Sequence, residues 1–194
     1  MIQWIKTLLL STLMLGSLNS HAAASSDDMV YVGMTTNAGY IELALNRSKA
    51  PVTVANFIEY VNDGFYDNTL FHRVVPGFVI QGGGYTPDMV LKANRPAIRN
   101  EAKNGLANDR GTIAMARKVE VDSANSQFFI NLEDNKRLNH GVRDYGYAVF
   151  GKVIKGMDVV DAIAAVPLSG SESVTPVILE SVKVLEAPTM DEAN

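Results

Sequence analysis

The sequence predicts a mainly β domain, with about eight strands forming a closed or nearly closed sheet and two helices covering its ends. Three observations carry that reading. Short β-rich runs recur between turn residues from Phe71 to Leu185, at a spacing that suits an all-β barrel or sandwich. Only two segments repeat their apolar residues at helical spacing. Finally, 194 residues with 47% hydrophobic content can build one substantial core, and no composition shift or internal repeat marks a second domain.

The first segment, MIQWIKTLLLSTLMLGSLNSHAAAS, has a lysine near its start, an apolar centre from Thr7 to Leu18 and a small-residue end. It reads as a secretory signal peptide over residues 1–24, ahead of a single domain over 25–194. A membrane anchor fits less well, because Ser11, Thr12, Gly16 and Ser17 interrupt an apolar run already shorter than the roughly 20 residues a span needs. Cleavage after Ala24 removes Lys6 and no acidic residue, so the formal charge moves from −4 to −5. The expected product is an exported protein with no stable membrane association. With no cysteine it forms no disulfide. The acidic balance and the lack of a basic cluster argue against nucleic acid as a partner.

Next, VYVGMTTNAGYIELAL reads as a hairpin turning at Asn37-Ala38-Gly39, where Asn and Gly tolerate a tight connection. Val54, Phe57, Ile58 and Val61 fall on one helical face, with Pro51 suited to a first turn and Gly64 to a C-terminal cap, so a helix is expected over 52–63. Strands follow at Phe71 to Val75, Phe78 to Gln81, Thr112 to Ala116, Gln127 to Asn131, Tyr147 to Val153 and Val177 to Leu185. Met157 to Ala165 gathers Val159, Val160, Ile163 and Ala164 into a second short helix, and the tail from Glu186 reads as frayed.

Most reaction classes lack their signatures. There is no nucleophile elbow and no phosphate loop, and Gly82-Gly83-Gly84 has the spacing of a bulge or tight turn rather than of a dinucleotide site. Once the leader is gone, His72 and His140 remain far apart and without cysteine, which does not suit a metal. Carboxylates such as Asp67, Asp109 and Glu133 sit in turn-like positions that read as solvated. What remains is binding, or a reaction that needs no nucleophile, metal or cofactor. Within FHRVVPGFVIQGGG, one arginine, Arg73, stands between two runs that read as buried strand. An arginine there is commonly the exposed residue of an alternating strand, but a guanidinium is seldom buried without a partner and keeps its proton.

FHRVVPGFVIQGGG (71–84), GTIAMAR (111–117) and NSQFFIN (125–131) together resemble the cyclophilin-type peptidyl-prolyl cis-trans isomerases, and the likeness continues through GYAVFGKVIKGMDVV (146–160). It spans about residues 30–185 in the family's order, and with the exported start it looks most like the periplasmic cyclophilins of Gram-negative bacteria. The resemblance implies a closed eight-stranded antiparallel barrel capped by two helices, with a substrate groove on its outer face. It implies Arg73 as catalytic residue, Phe78, Val79, Phe129 and Leu138 as walls of a proline pocket, Gln81 and Gln127 as holders of the peptide backbone, and Ala116 as lining of a neighbouring subsite. His72, Arg117, Arg137 and Tyr147 are further candidates. Proline-containing unfolded or partly folded polypeptides are the implied partners, with no cofactor or metal, a monomeric state and a periplasmic role in folding exported proteins. Two positions depart from many relatives: Arg137 stands where they carry tryptophan and Tyr147 where they carry histidine, and the 133–145 loop differs in length. The expected consequence is isomerase activity with weak cyclosporin binding. A binding module with the same groove, or a barrel with no site, are the competing readings.

Overall fold

The computed structural model describes residues 28–187, so the leader-like start and residues 188–194 of the tail lie outside the described residues. Strands β1 (Met29–Thr36) and β2 (Gly39–Asn46) form the expected hairpin, paired from Met29↔Asn46 to Thr36↔Gly39. Thr36 closes the turn: its Oγ1 donates to the Gly39 carbonyl at 2.8 Å and accepts from the Ala38 N–H at 3.1 Å.

Helix α1 (Pro51–Asn62) starts one residue before the expected position, because proline loses nothing in a first turn whose N–H groups have no helical acceptor. Its N-cap is Ala50, which has no side-chain oxygen to offer. The capping acceptor comes from far along the chain: Glu101 accepts from the Val52 and Thr53 N–H groups at 3.1 and 2.8 Å and from the Thr53 hydroxyl at 2.7 Å. Val54, Phe57 and Val61 are buried as the periodicity predicts, and Tyr60 joins them.

The remaining elements are β3 (Thr69–Leu70), β4 (Arg73–Val75), β5 (Val79–Gly82), β6 (Thr112–Met115), β7 (Phe128–Asn131), β8 (Val149–Lys155), α2 (Met157–Ala164), β9 (Leu168–Ser169), β10 (Glu172–Ser173) and β11 (Ile178–Leu185). Every predicted strand and helix is present. Three two-residue strands, β3, β9 and β10, were not foreseen, because two residues cannot display an alternation.

The expected closed eight-stranded barrel is corrected. The main sheet is open and has nine strands, in the order β3-β11-β1-β2-β8-β6-β7-β5-β4, all antiparallel. Its edge strands β3 and β4 follow one another in the chain, separated only by Phe71 and His72. Their outward N–H groups are used elsewhere: Leu70 donates to the Tyr85 carbonyl at 2.9 Å and Val74 to the Ser171 carbonyl at 2.7 Å. The two edges are therefore joined by the chain through Phe71 and His72 and not by a ladder, and these hydrogen bonds to residues outside the main sheet occupy the edges.

Two apolar clusters result. The larger contains Phe57, Tyr66, Phe71, Phe128 and Phe150 between the sheet and α1. A smaller one, of Val79, Ala114, Phe129, Leu138 and Val149, lies on the opposite face of the sheet.

Candidate active site

Strand register builds the site. Arg73 on β4 stands opposite Gln81 on β5, Gln81 opposite Phe129 on β7, and Phe129 opposite Ala114 on β6. Side chains alternate along a strand, so directly paired residues share a face and a single row crosses four strands. The neighbours Val74, Ile80, Phe128, Ile130 and Ile113 point the other way, into the large core. A polar chain runs along this row. Arg73 Nη1 donates to Gln81 Oε1 at 3.3 Å, and Gln81 Nε2 donates to Gln127 Oε1 at 2.9 Å. The Arg73 guanidinium carbon stands 6.0 Å from the centre of the Phe78 ring.

Arg73, Phe78, Val79, Gln81, Ala116, Phe129 and Leu138 line one cavity of about 320 Å³, so seven of the eight principal candidates meet there. The eighth, Gln127, lines an adjoining hollow of about 110 Å³, to which Gln81 and Ala116 also contribute. Val79, Phe129 and Leu138 are buried, giving the cavity an apolar floor.

The glycine triplet serves packing. A Cβ on Gly83, whose φ is +81°, would meet the Phe128 ring at 2.7 Å, and one on Gly84 would fall 2.6 Å from Gln127 Cγ. The expected bulge or turn is thus better described as a close approach of backbone to the side chains of β7 and its flank. Leu138 is held by an asparagine network that sequence reasoning missed. Asn135 donates from Nδ2 to the Phe78 carbonyl at 2.9 Å and to Asn131 Oδ1 at 2.8 Å, and its carbonyl accepts from the Leu138 N–H at 2.8 Å. Asn131, Asn135 and Asn139 recur every four residues, which was the available signal.

Of the further candidates, Tyr147 and Arg117 line the same cavity. The Tyr147 ring meets Phe129 edge-on with centroids 5.6 Å apart, and the Arg117 guanidinium lies 4.7 Å from its centre. Arg117 is largely buried, and all three of its nitrogens are used. Nε donates to the Gly146 carbonyl at 3.0 Å, Nη1 to the Lys118 and Val119 carbonyls at 3.0 and 3.3 Å, and Nη2 to Asp144 Oδ1 at 2.8 Å. It ties the loop that carries Tyr147 to the end of β6.

Arg137 is exposed and does not line the cavity. It sits in the short 3-10 turn Lys136–Leu138, which points Leu138 inward instead. His72 also lies off the cavity, packed against Tyr85 with ring centres 4.6 Å apart and its Nδ1 buried without a hydrogen-bond partner. Burial, and to a lesser degree the Arg73 charge, hold its imidazole below the usual pKa against an opposing backbone interaction with Leu70. Arg143 does line the cavity and was not foreseen. Nothing in the local pattern distinguishes an arginine in a polar loop from any solvated charge. Among the described residues no group of three or more His, Cys, Asp or Glu could hold a metal ion.

A family model described as "Cyclophilin type peptidyl-prolyl cis-trans isomerase/CLD" matches residues 31–184. The chain is 54% identical over 170 residues to "Peptidyl-prolyl cis-trans isomerase A" of Dickeya dadantii, covering 84% of this chain and 89% of that protein. It is 51% identical over 159 residues to "Peptidyl-prolyl cis-trans isomerase B" of Escherichia coli, covering 78% and 97%. Among solved structures, the fold is similar to a Cryptosporidium parvum cyclophilin type peptidyl-prolyl cis-trans isomerase crystallised in the presence of the dipeptide Ala-Pro. The TM-score is 0.72 at 28% identity, covering 80% of this chain and 99% of that one.

Proposed function

Because this chain belongs to the cyclophilin-type peptidyl-prolyl cis-trans isomerases, we propose that Arg73 is its catalytic residue and that the Xaa-Pro segment lies across the β4–β5–β7–β6 face. One observation carries this reading. Arg73 and Arg117 are the partly buried arginines among the described residues. Arg117 pairs with Asp144, whereas Arg73 forms no ion pair there and has the Gln81 amide oxygen and the Phe78 ring. A half-buried cation left without an anion beside an apolar pocket is costly to the fold, which favours a functional reason for it.

The chemistry suits such a group. Rotation about an Xaa-Pro bond faces a barrier of about 18–20 kcal/mol because planarity is held by resonance, and unaided exchange takes tens to hundreds of seconds. At the twisted midpoint conjugation is lost and the prolyl nitrogen becomes pyramidal and basic. A donor aimed at that nitrogen therefore binds the midpoint better than either planar form. One hydrogen bond from a charged group contributes on the order of 1.5–3 kcal/mol, while a million-fold acceleration needs about 8. The pocket must supply the rest. Phe78, Val79, Phe129 and Leu138 strip water from the charge-separated planar amide, and Gln81 and Gln127 fix one side of the bond while the other turns. Gln81 has a second task, because its Oε1 orients the guanidinium.

Proline-containing unfolded or partly folded polypeptides are the proposed substrates, acted on by a monomer in the periplasm during folding of exported proteins. Support for that compartment comes from the leader-like composition of residues 1–24. N-terminal sequencing of the exported protein that began at Met1 would overturn it. The activity itself is tested by exchange NMR on a short Xaa-Pro peptide. Acceleration by the wild-type domain is expected, with kcat/KM falling about ten- to a hundredfold in a folded Arg73→Ala variant. No acceleration by the folded wild-type domain would instead favour a binding module.

A further inference from the structure

We propose that the Arg143 side of the cavity makes this isomerase prefer substrates with an acidic side chain close to the proline, an inference that rests on the isomerase reading above. Three guanidinium groups, Arg73, Arg117 and Arg143, line one cavity of about 320 Å³, and no carboxylate lines it. A single anion serves two of them. Asp144 Oδ1 accepts from Arg117 Nη2 at 2.8 Å, and Oδ2 accepts from Arg143 Nη2 and Nε at 3.1 and 3.3 Å. Three cations against one anion leave a local excess of two positive charges, in a chain whose formal net charge is −4.

The three cations are not equally free. Arg117 is pinned by four hydrogen bonds, and its side chain is only 6% exposed. Arg73 is engaged with Gln81. Arg143 is half exposed, and its anionic partner among the described residues is the next residue in the chain, which Arg117 already shares, with the Tyr147 hydroxyl as a weaker contact. A surface pair of that kind is weak. An incoming carboxylate can therefore recruit Arg143, with its paired donors, while Asp144 stays bound to Arg117 and to the Gly146 N–H at 2.8 Å. The Phe129 and Leu138 floor beneath limits screening of such a contact by water. An extended chain advances about 3.3 Å per residue, so a carboxylate one to three residues from the proline comes within reach of an arginine lining the same cavity.

The test uses three C-terminally amidated Xaa-Pro peptides that differ only in one residue near the proline: Glu, Gln or Lys. Exchange NMR gives kcat/KM for each at low and high salt. Glu is expected to exceed Gln by about two- to fivefold at low salt, and the ratio should shrink toward one at about 1 M salt as the charges are screened. In Arg143→Gln the Glu-over-Gln ratio should be lost, and in Arg143→Glu the preference should turn toward Lys. Acceleration of all three peptides without an acidic preference, or a preference retained in Arg143→Gln, would overturn this inference alone. Failure to accelerate any of the peptides would overturn the isomerase reading and this inference with it.

Discussion

Among its arginines this chain separates two uses of one side chain. Arg95 and Arg110 are exposed and pair with Glu59, Asp63 and Asp161, contacts that contribute little at a solvated surface. Arg73 is partly buried and faces a cavity, with the Gln81 amide oxygen as its side-chain hydrogen-bond partner and the Phe78 ring beside it among the described residues. In the role proposed for it charge alone is not enough, because a planar fork would hold Gln81 and reach the prolyl nitrogen together. Arg73→Lys is accordingly expected to keep its positive charge yet lose most of the activity, at least tenfold in kcat/KM by the same exchange assay. Recovery to near wild-type rate would show that a point charge suffices. Arg137 carries the opposite lesson. It occupies a position where the family resemblance suggested a change in the pocket, yet it points to solvent outside the cavity. That site then offers cyclosporin neither an indole donor nor a flat apolar face, and calorimetric titration is expected to give an affinity weaker than micromolar. A tighter value would contradict this account of the pocket wall.

At the level of elements, the helix that opens at Pro51 depends on a residue 50 positions downstream. Glu101 supplies three acceptor contacts to the first turn of α1, where the Ala50 side chain supplies none. Glu101→Ala is expected to destabilise the fold by about 1–2 kcal/mol, the range for a lost helix cap. Chemical denaturation should show this as a lower midpoint with an unchanged slope. The helix itself was legible in the sequence because Val54, Phe57 and Val61 repeat at a period set by local geometry. Its cap was not, because a carboxylate 50 residues away leaves no local pattern. The same distinction runs through the sheet. Strands of three residues or more announced themselves by β-rich runs, whereas β3, β9 and β10, with two residues each, exist only because neighbouring chain pairs with them.

Across the whole molecule, the buried Tyr66 and the half-buried His72 contribute to how stability responds to pH. The Tyr66 phenol lies in the large core and donates to the Ser126 carbonyl at 2.9 Å, and burial raises its pKa well above the usual value. The unfolded chain therefore releases that proton first. Stability from this group is complete below about pH 10 and declines as pH rises past it. His72 acts at the other end. Its folded pKa is lowered, first by burial, so its contribution is complete above about pH 6.5 and fades as pH falls through the folded value. Thermal melts across pH are expected to show a plateau between these limits. In His72→Gln, which cannot be protonated, the decline on the acid side should be shallower. An identical acid limb in that variant would assign the loss to carboxylates instead.

The sequence by itself determined the two α-helices and the longer strands, because periodicity and turn residues act over a few positions, but not the two-residue strands β3, β9 and β10. Through the motifs of residues 71–84, 111–117 and 125–131 the family resemblance also named Arg73, Phe78, Val79, Gln81, Ala116 and Phe129, which line one cavity. Tertiary structure decided three further things, each of which depends on groups far apart in the chain. The main sheet is an open nine-stranded one, and an N–H of each edge strand, on Leu70 and Val74, finds its acceptor at Tyr85 and Ser171. The cavity's arginines are Arg73, Arg117 and Arg143, and Arg137 is not among them, because the 3-10 turn at 136–138 directs Leu138 inward and turns its neighbour out. The first turn of α1 is satisfied from Glu101. Pairing register, loop path and long-range capping are set by the free energy of the assembled chain, and no short stretch of residues encodes them.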